Sequence, residues 1–306
     1  MRGLVLAAVI LLALAPGSGA QQTPPSTPVF PAGLEMVNVT VSVRDRDGHL
    51  VSGLGPDDFV LLEEGRLQQI ALFGRATEPG HEEALALNLG LLMDTSESMR
   101  DEMKLTQEAA IRFLENIPRA RDLLVVFFDQ DLRISRYDSE NQQGLFERIL
   151  ETKGSGTTAL YDAIAVYLSR VEDSAGRKVL LVFTDGEDYG SALGLAEVLQ
   201  LVRSSSVTIY AVAFGGTYTM GSGRYLSARS FLSDLTRITG GEVFAPHASK
   251  ELADVYTKIL DELTNQYILG YVSDSARRDG KFRKLKVEVK DKSLTVRHRA
   301  GYYPPR

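Results

Sequence analysis

The sequence predicts an α/β chain: a doubly wound, mainly parallel sheet inserted into a small β-sandwich formed by the N- and C-terminal segments. Three observations carry that reading. Between residues 84 and 265, apolar runs of strand length alternate with segments of helical spacing. On either side the pattern is β alone, with period-two alternation and turn residues. Each flank holds roughly 40 residues, too few to bury a core by itself, and the chain has no cysteine to staple one.

Residues 1–20 read as an export signal. Arg2 gives a positive start, Leu4–Ala15 is a continuous apolar run, and Pro16–Ala20 ends in small residues suited to cleavage after Ala20. That run is too short for a membrane span, which needs roughly 20 residues. Residues 21–33 carry Pro24, Pro25, Pro28 and Pro31 among Gln, Thr and Ser, the composition of an extended tether. The protein is therefore expected to be exported, to the periplasm or outside the cell, with no membrane span after signal cleavage.

Residues 34–78 are assigned to the first part of the sandwich. Val37, Val39, Val41 and Val43 share one face of a strand, and Asp45–Gly48 forms a turn with Gly48 able to take the left-handed conformation. Strands 59–62 and 69–73 flank a second turn at Glu63–Arg66. Asp45-x-Asp47-Gly48 resembles the start of a calcium loop, but Pro56 stands where its acidic twelfth residue belongs, so it reads as a hairpin turn. In 84–265 the expected strands are 85–93, 122–128, 178–183, 207–214 and 242–244. The expected helices are 103–117, 143–150, 159–171, 193–202, 227–239 and 250–263. Residues 266–306 form the second part of the sandwich, with strands 267–272, 285–289 and 294–298. Leu285, Val287 and Val289 face inward while Lys284, Lys286, Glu288 and Lys290 face water.

Composition removes several functions. Thirty-four basic against forty acidic residues give a net charge of −6, without the basic field that nucleic-acid binding needs. With no cysteine there is no thiol nucleophile, thiolate zinc site or iron–sulfur cluster. The histidines at 49, 81, 247 and 298 have no ligand spacing, and neither a Gly-x-Ser-x-Gly elbow nor a phosphate-binding Gly-x-x-x-x-Gly-Lys-Ser/Thr loop is present.

Open α/β sheets bind ligands at the carboxyl ends of their strands. Three loops expected there carry Asp94-Thr95-Ser96-Glu97-Ser98, Gly154–Leu160, and Thr184-Asp185-Gly186-Glu187-Asp188. They offer carboxylates and hydroxyls with no His or Lys among the donors, a hard-oxygen set suited to Mg²⁺, Mn²⁺ or Ca²⁺. In an extended Asp94-x-Ser96-x-Ser98 loop the alternate side chains converge. Taken singly, Ser96 and Ser98 read as helix caps, and Asp101 and Glu102 as complements to a helix dipole. Only the three loops together point to a metal.

In combination these residues resemble the metal-ion-dependent adhesion site of the von Willebrand factor A domain. The resemblance implies Asp94, Ser96, Ser98, Thr158 and Asp185 as the metal shell, with Thr157 the alternative to Thr158. It further implies a Mg²⁺-dependent, non-enzymatic adhesion module whose protein partner presents an Asp or Glu carboxylate to the metal. The flanks, Val37–Phe73, Gln266–Tyr271 and Gly301–Tyr303, are similar to those of exported bacterial "VWFA-related" proteins first noted in acidobacteria. Two rivals are a structural envelope module with a vestigial site and a Mg²⁺-dependent aspartate-nucleophile phosphatase. The second expects an Asp where Ser96 stands. With Glu97 and Glu187 beside the site, its rim is expected to be acidic.

Overall fold

The computed structural model describes residues 36–76, 86–117, 120–137, 142–214, 223–246, 249–273 and 279–304. The export signal and the tether expected over 1–33 lie outside the described residues.

The first flank folds as β1 (Met36–Arg44), β2 (Phe59–Glu63), β3 (Arg66–Gln68) and β4 (Ile70–Arg75). The last contributes β11 (Tyr267–Val272), β12 (Arg283–Val289), β13 (Thr295–His298) and β14 (Gly301–Tyr302). They interleave into two four-stranded sheets, ordered β13-β1-β11-β4 and β14-β12-β2-β3. Val39, Val41 and Val43 of β1 and Leu285, Val287 and Val289 of β12 are buried in one shared cluster with Phe59, Leu61, Tyr267, Leu269 and Tyr271. Neither flank owns that core, because each sheet is made of strands from both.

The hairpin turn between residues 45 and 48 is present. The Asp45 carboxylate accepts the backbone N–H of Asp47 at 3.0 Å and of His49 at 2.8 Å. Asp45, Asp47 and His49 bring their potential ligand atoms close together, but these bonds account for the cluster as a turn. The second turn differs from expectation. Chain reversal at Glu64 and Gly65 pairs β2 with a strand of only three residues, and the chain then crosses to the other sheet as β4, beside β11.

Between the flanks runs a six-stranded sheet, ordered β10-β9-β8-β5-β6-β7. Its strands are β5 (Leu87–Asp94), β6 (Ala120–Phe128), β7 (Leu132–Tyr137), β8 (Arg177–Thr184), β9 (Thr208–Ala213) and β10 (Val243–Phe244). All neighbours are parallel except β7, an antiparallel edge strand absent from the expected elements. Among the described residues, six helices cover the faces: α1 (Met103–Asn116), α2 (Gln143–Glu151), α3 (Leu160–Val171), α4 (Leu195–Ser204), α5 (Gly223–Thr239) and α6 (Ser249–Asn265). Leu87, Leu89, Leu91 and Met93 pack toward α1, α2 and α6, while Leu92 packs toward α3, α4 and α5. Such two-sided burial explains why β5 reads as a continuous apolar run rather than an alternating one.

A charged cluster ties the two architectures together. Glu262 of α6 is fully buried. Its carboxylate accepts from Ser42 Oγ at 2.7 Å, Tyr210 OH at 2.7 Å and Arg44 Nη2 at 2.8 Å, and pairs with Arg297. Ser42, Arg44 and Arg297 belong to the sandwich; Tyr210 and Glu262 belong to the α/β layers.

Candidate metal centre

β5 and β8 are adjacent parallel strands at the centre of the six-stranded sheet, and Asp94 and Thr184 are their last residues. The loops that follow therefore open at the same edge. One Asp94 oxygen accepts the Ser96 hydroxyl at 2.6 Å and the Ser96 N–H at 3.0 Å; the other accepts the Thr184 hydroxyl at 2.6 Å. The Ser96 and Ser98 oxygens lie 3.0 Å apart. The Ser98 hydroxyl faces the Asp185 carboxylate and favours its charged form. Ser96 opens a short turn over Glu97–Met99 but does not cap it with its side chain, since its hydroxyl is turned to Asp94.

The third loop is stitched to the other two through its backbone. Ser155 N–H donates to Thr95 O at 2.8 Å, Glu97 N–H to Gly156 O at 3.0 Å, and Ala159 N–H to Asp129 O at 2.8 Å. Thr158 O accepts from Tyr189 N–H at 2.9 Å and Gly190 N–H at 2.8 Å. Gly154 permits the close approach, because a Cβ there would stand 2.8 Å from Arg100 Cα and 2.9 Å from Ser96 O. Asp94, Ser96, Ser98 and Asp185 are thus linked by direct side-chain contacts. Thr158 is buried on the loop bonded to both neighbours, while Thr157 is exposed against Gly190.

Burial, reinforced by the charge of Asp185, pushes the Asp94 carboxyl up to about 7. Burial also raises Asp185. Among the described residues no Arg, Lys or His pairs with either. Buried carboxylates normally find a cationic side chain or a metal ion, and fully buried Asp94, with part-buried Asp185 beside it, has no cationic side chain among the described residues.

The hydroxyl geometry fits a small divalent cation. Ser96 commits its proton to Asp94, and Asp185 offers Ser98 an acceptor, so both oxygens can turn lone pairs to one point. The two hydroxyl oxygens stand at a hydrogen-bond distance of 3.0 Å, a separation that adjacent ligands of an octahedral Mg²⁺, about 2.9 Å apart, would keep.

The rim departs from the acidic expectation. Glu97 is paired with Arg100 at 2.6 Å, and Glu187 accepts the hydroxyl of exposed Tyr189 at 2.5 Å. On the other side, Arg133 donates to Thr95 Oγ1 and to Asp129, both at 2.7 Å, and Arg148 and Lys153 stand exposed beside it. These cations come from β7, α2 and the loop after α2, so no local run in the sequence signalled them.

The family model for the von Willebrand factor type A domain matches residues 88–257. No curated protein sequence gives a significant match. Among solved structures, the chain is similar to a von Willebrand factor type A protein from Catenulispora acidiphila, at 13% identity over 90% of this chain and 76% of that one, with a TM-score of 0.49. It is similar to a mutant of the PilB minor pilin from Streptococcus sanguinis, at 11% identity over 61% and 64%, TM-score 0.48. It is also similar to the pilus adhesin SpaC from Lactobacillus rhamnosus GG in its open conformation, at 10% identity over 87% and 48%, TM-score 0.49. With a parallel central sheet that carries its polar loops at one edge, and a family match across more than half its length, the chain belongs to the von Willebrand factor type A family, whose domains generally serve protein–protein interaction.

Proposed function

We propose that this protein is an exported, Mg²⁺-dependent binding module that captures an acidic side chain of a partner protein. Asp94, Ser96, Ser98, Thr158 and Asp185 would hold the ion, with Mn²⁺ or Ca²⁺ as the alternatives to Mg²⁺. Residues 84–265 form the binding domain, and 34–78 with 266–306 form its supporting sandwich. The observation that carries the reading is a pair of carboxylates, fully buried Asp94 and part-buried Asp185, that have no basic partner among the described residues and are linked through the hydroxyls of Ser96 and Ser98. When bound, the ion supplies a positive centre with room for an outside ligand beside Ser98, the exposed member of the set. A carboxylate suits that position, being hard, anionic and a side-chain group.

A phosphatase is disfavoured by the same geometry. An aspartate nucleophile needs a free oxygen facing its substrate, whereas Asp94 is fully buried and both its oxygens accept hydrogen bonds. The export assignment rests on the residue pattern of 1–20, and no helix among the described residues is long and apolar enough to cross a membrane.

The test is thermal melting after exhaustive chelation, with Mg²⁺ added back, for the wild type, Ser96→Ala and Asp185→Ala. Mg²⁺ should raise the wild-type Tm and leave both variants unmoved. A wild-type melt indifferent to Mg²⁺, Mn²⁺ and Ca²⁺ would favour the structural module with a vestigial site.

A further inference from the structure

Beside the metal edge lies a pocket of about 210 Å³, lined by Asp129, Arg133, Arg148, Glu151, Lys153 and Ser155. Pockets for small metabolites usually exceed about 300 Å³, so this one suits a side-chain head group better. It is continuous with the metal loops. Arg133 donates to Thr95, the residue between Asp94 and Ser96, and Ser155 N–H donates to Thr95 O.

The charges are unevenly satisfied. Asp129 is matched: it holds Arg133 and the Asp131 N–H at 2.8 Å, and although burial works against it, the Arg133 guanidinium keeps its carboxyl below the usual range. Arg148 and Lys153 have no side-chain hydrogen bond or ion pair among the described residues. Exposed Glu151 is the lining carboxylate without a counter-charge among the described residues and can turn to solvent. The pocket sits at the C-terminal end of α2, where free carbonyls would repel an anion. The carbonyls of Arg148, Ile149, Leu150 and Thr152 are already occupied. Gln107 Nε2 donates to Ile149 O, Leu150 O and Thr152 O at 3.0, 3.3 and 2.8 Å, and Thr152 Oγ1 donates to Arg148 O at 2.9 Å.

We propose that this pocket receives a second carboxylate of the same partner, so that the chain recognises a pair of acidic side chains, one at the metal and one between Arg133, Arg148 and Lys153. The inference rests on the metal reading and adds a specificity element to it. Acidic segments would then be selected over isolated Asp or Glu residues, and the cations would draw the partner toward an edge on a chain of net negative charge.

The test is fluorescence anisotropy with labelled hexa-aspartate and a length-matched peptide holding one Asp, with Mg²⁺ or EDTA. The proteins are the full chain, Arg148→Glu/Lys153→Glu, Asp185→Ala, and a remote control, Lys258→Glu/Lys290→Glu. Wild type should prefer hexa-aspartate in Mg²⁺, and the pocket reversal should weaken that binding by about tenfold or more. The single-Asp peptide, the Mg²⁺-induced Tm rise and the remote control should be unchanged. If the pocket reversal leaves hexa-aspartate binding intact, the pocket proposal is overturned and the metal reading stands. If binding survives EDTA and Asp185→Ala but is lost on pocket reversal, the metal reading fails and the paired-carboxylate proposal is overturned with it, leaving the pocket as a site for a single acidic group. Should the reversed variant melt early, Arg148→Gln/Lys153→Gln answers the same question without added charge.

Discussion

Replacing Glu262 by Gln should cost more stability than any exposed substitution in the molecule. The side chain is fully buried, and its carboxylate holds Ser42, Tyr210, Arg44 and Arg297 at once. Glutamine keeps the shape but turns an amide donor toward a shell made of donors. Removing one partner of a buried ion pair costs about 3–5 kcal/mol. Arg44 and Arg297 are about a quarter exposed, at 24% and 26%, and retain Glu242, so the lower end of that range applies. At roughly 2–4 °C per kcal/mol, a loss of about 3 kcal/mol lowers Tm by about 6–12 °C. Burial opposes the charge of Glu262, but Arg297 and the hydroxyls hold its carboxyl below the ordinary value. Its stabilisation is therefore present above about pH 4.5, the unfolded value, and is lost as pH falls through the lower folded one. Urea titrations at pH 7 and at stepwise lower pH would measure this, with exposed Asp261→Asn as the control. A Glu262→Gln loss below about 1 kcal/mol at pH 7, or one that does not shrink in acid, would refute the reasoning.

Other expectations follow from the same contacts. At a Mg²⁺ concentration near 100 times its Kd, preferential binding adds about 2.7 kcal/mol, or about 5–10 °C in wild-type Tm, and Ser96→Ala should erase that rise in a scanning-fluorimetry melt. Gly154→Ala forces a Cβ against the backbone of Ser96 and Arg100, so it should cost about 1–3 kcal/mol and blunt the Mg²⁺ response; an unchanged response would mean that the loop contact does not set the site. Tyr271→Phe removes the 2.6 Å hydrogen bond to buried Glu63, leaving Ser273 and Tyr302 as its partners, for an expected loss of about 1–3 kcal/mol by denaturant titration. Residues 34–76 and 266–306, expressed separately, should each give the circular dichroism of an unfolded peptide, because every sandwich sheet draws strands from both; a cooperative melt from either alone would contradict that.

The fold was legible where burial leaves a strong period. β5, β6, β8 and β9 are covered on both faces and stand out as apolar runs, and the inward valines of β1 alternate cleanly. The edge strand β7 was missed although Leu132, Ile134 and Tyr137 line a short strand. Its arginines and its position after an Asp-rich turn mask the pattern, and its apolar residues are split between the faces, Leu132 and Ile134 packing on one side of the sheet and Tyr137 on the other. β14 is two residues long and depends on pairing with β12, which no local pattern encodes. Within the candidate site, the clustering of Asp94, Ser96 and Ser98 was legible because one loop carries all three. The cations at 133, 148 and 153 were not, since only the tertiary fold gathers them. Glu262 was equally hidden: on an amphipathic helix a buried glutamate looks like a solvated one, and only Ser42, Arg44 and Arg297, more than 30 residues away in sequence, distinguish it.

The adjacency of β4 and β11 has a mechanical consequence. The chain leaves the sandwich after Arg75 and re-enters at Tyr267, and these two residues are direct cross-strand partners. Tension applied between β1 and β14 is therefore transmitted through the hydrogen bonds and core of the sandwich, while the whole α/β portion hangs from it as a side loop. Stretching the molecule would shear sandwich strands before it drew on the loops around Asp94 and Asp185. Those loops therefore keep their arrangement while the body that carries them is under load.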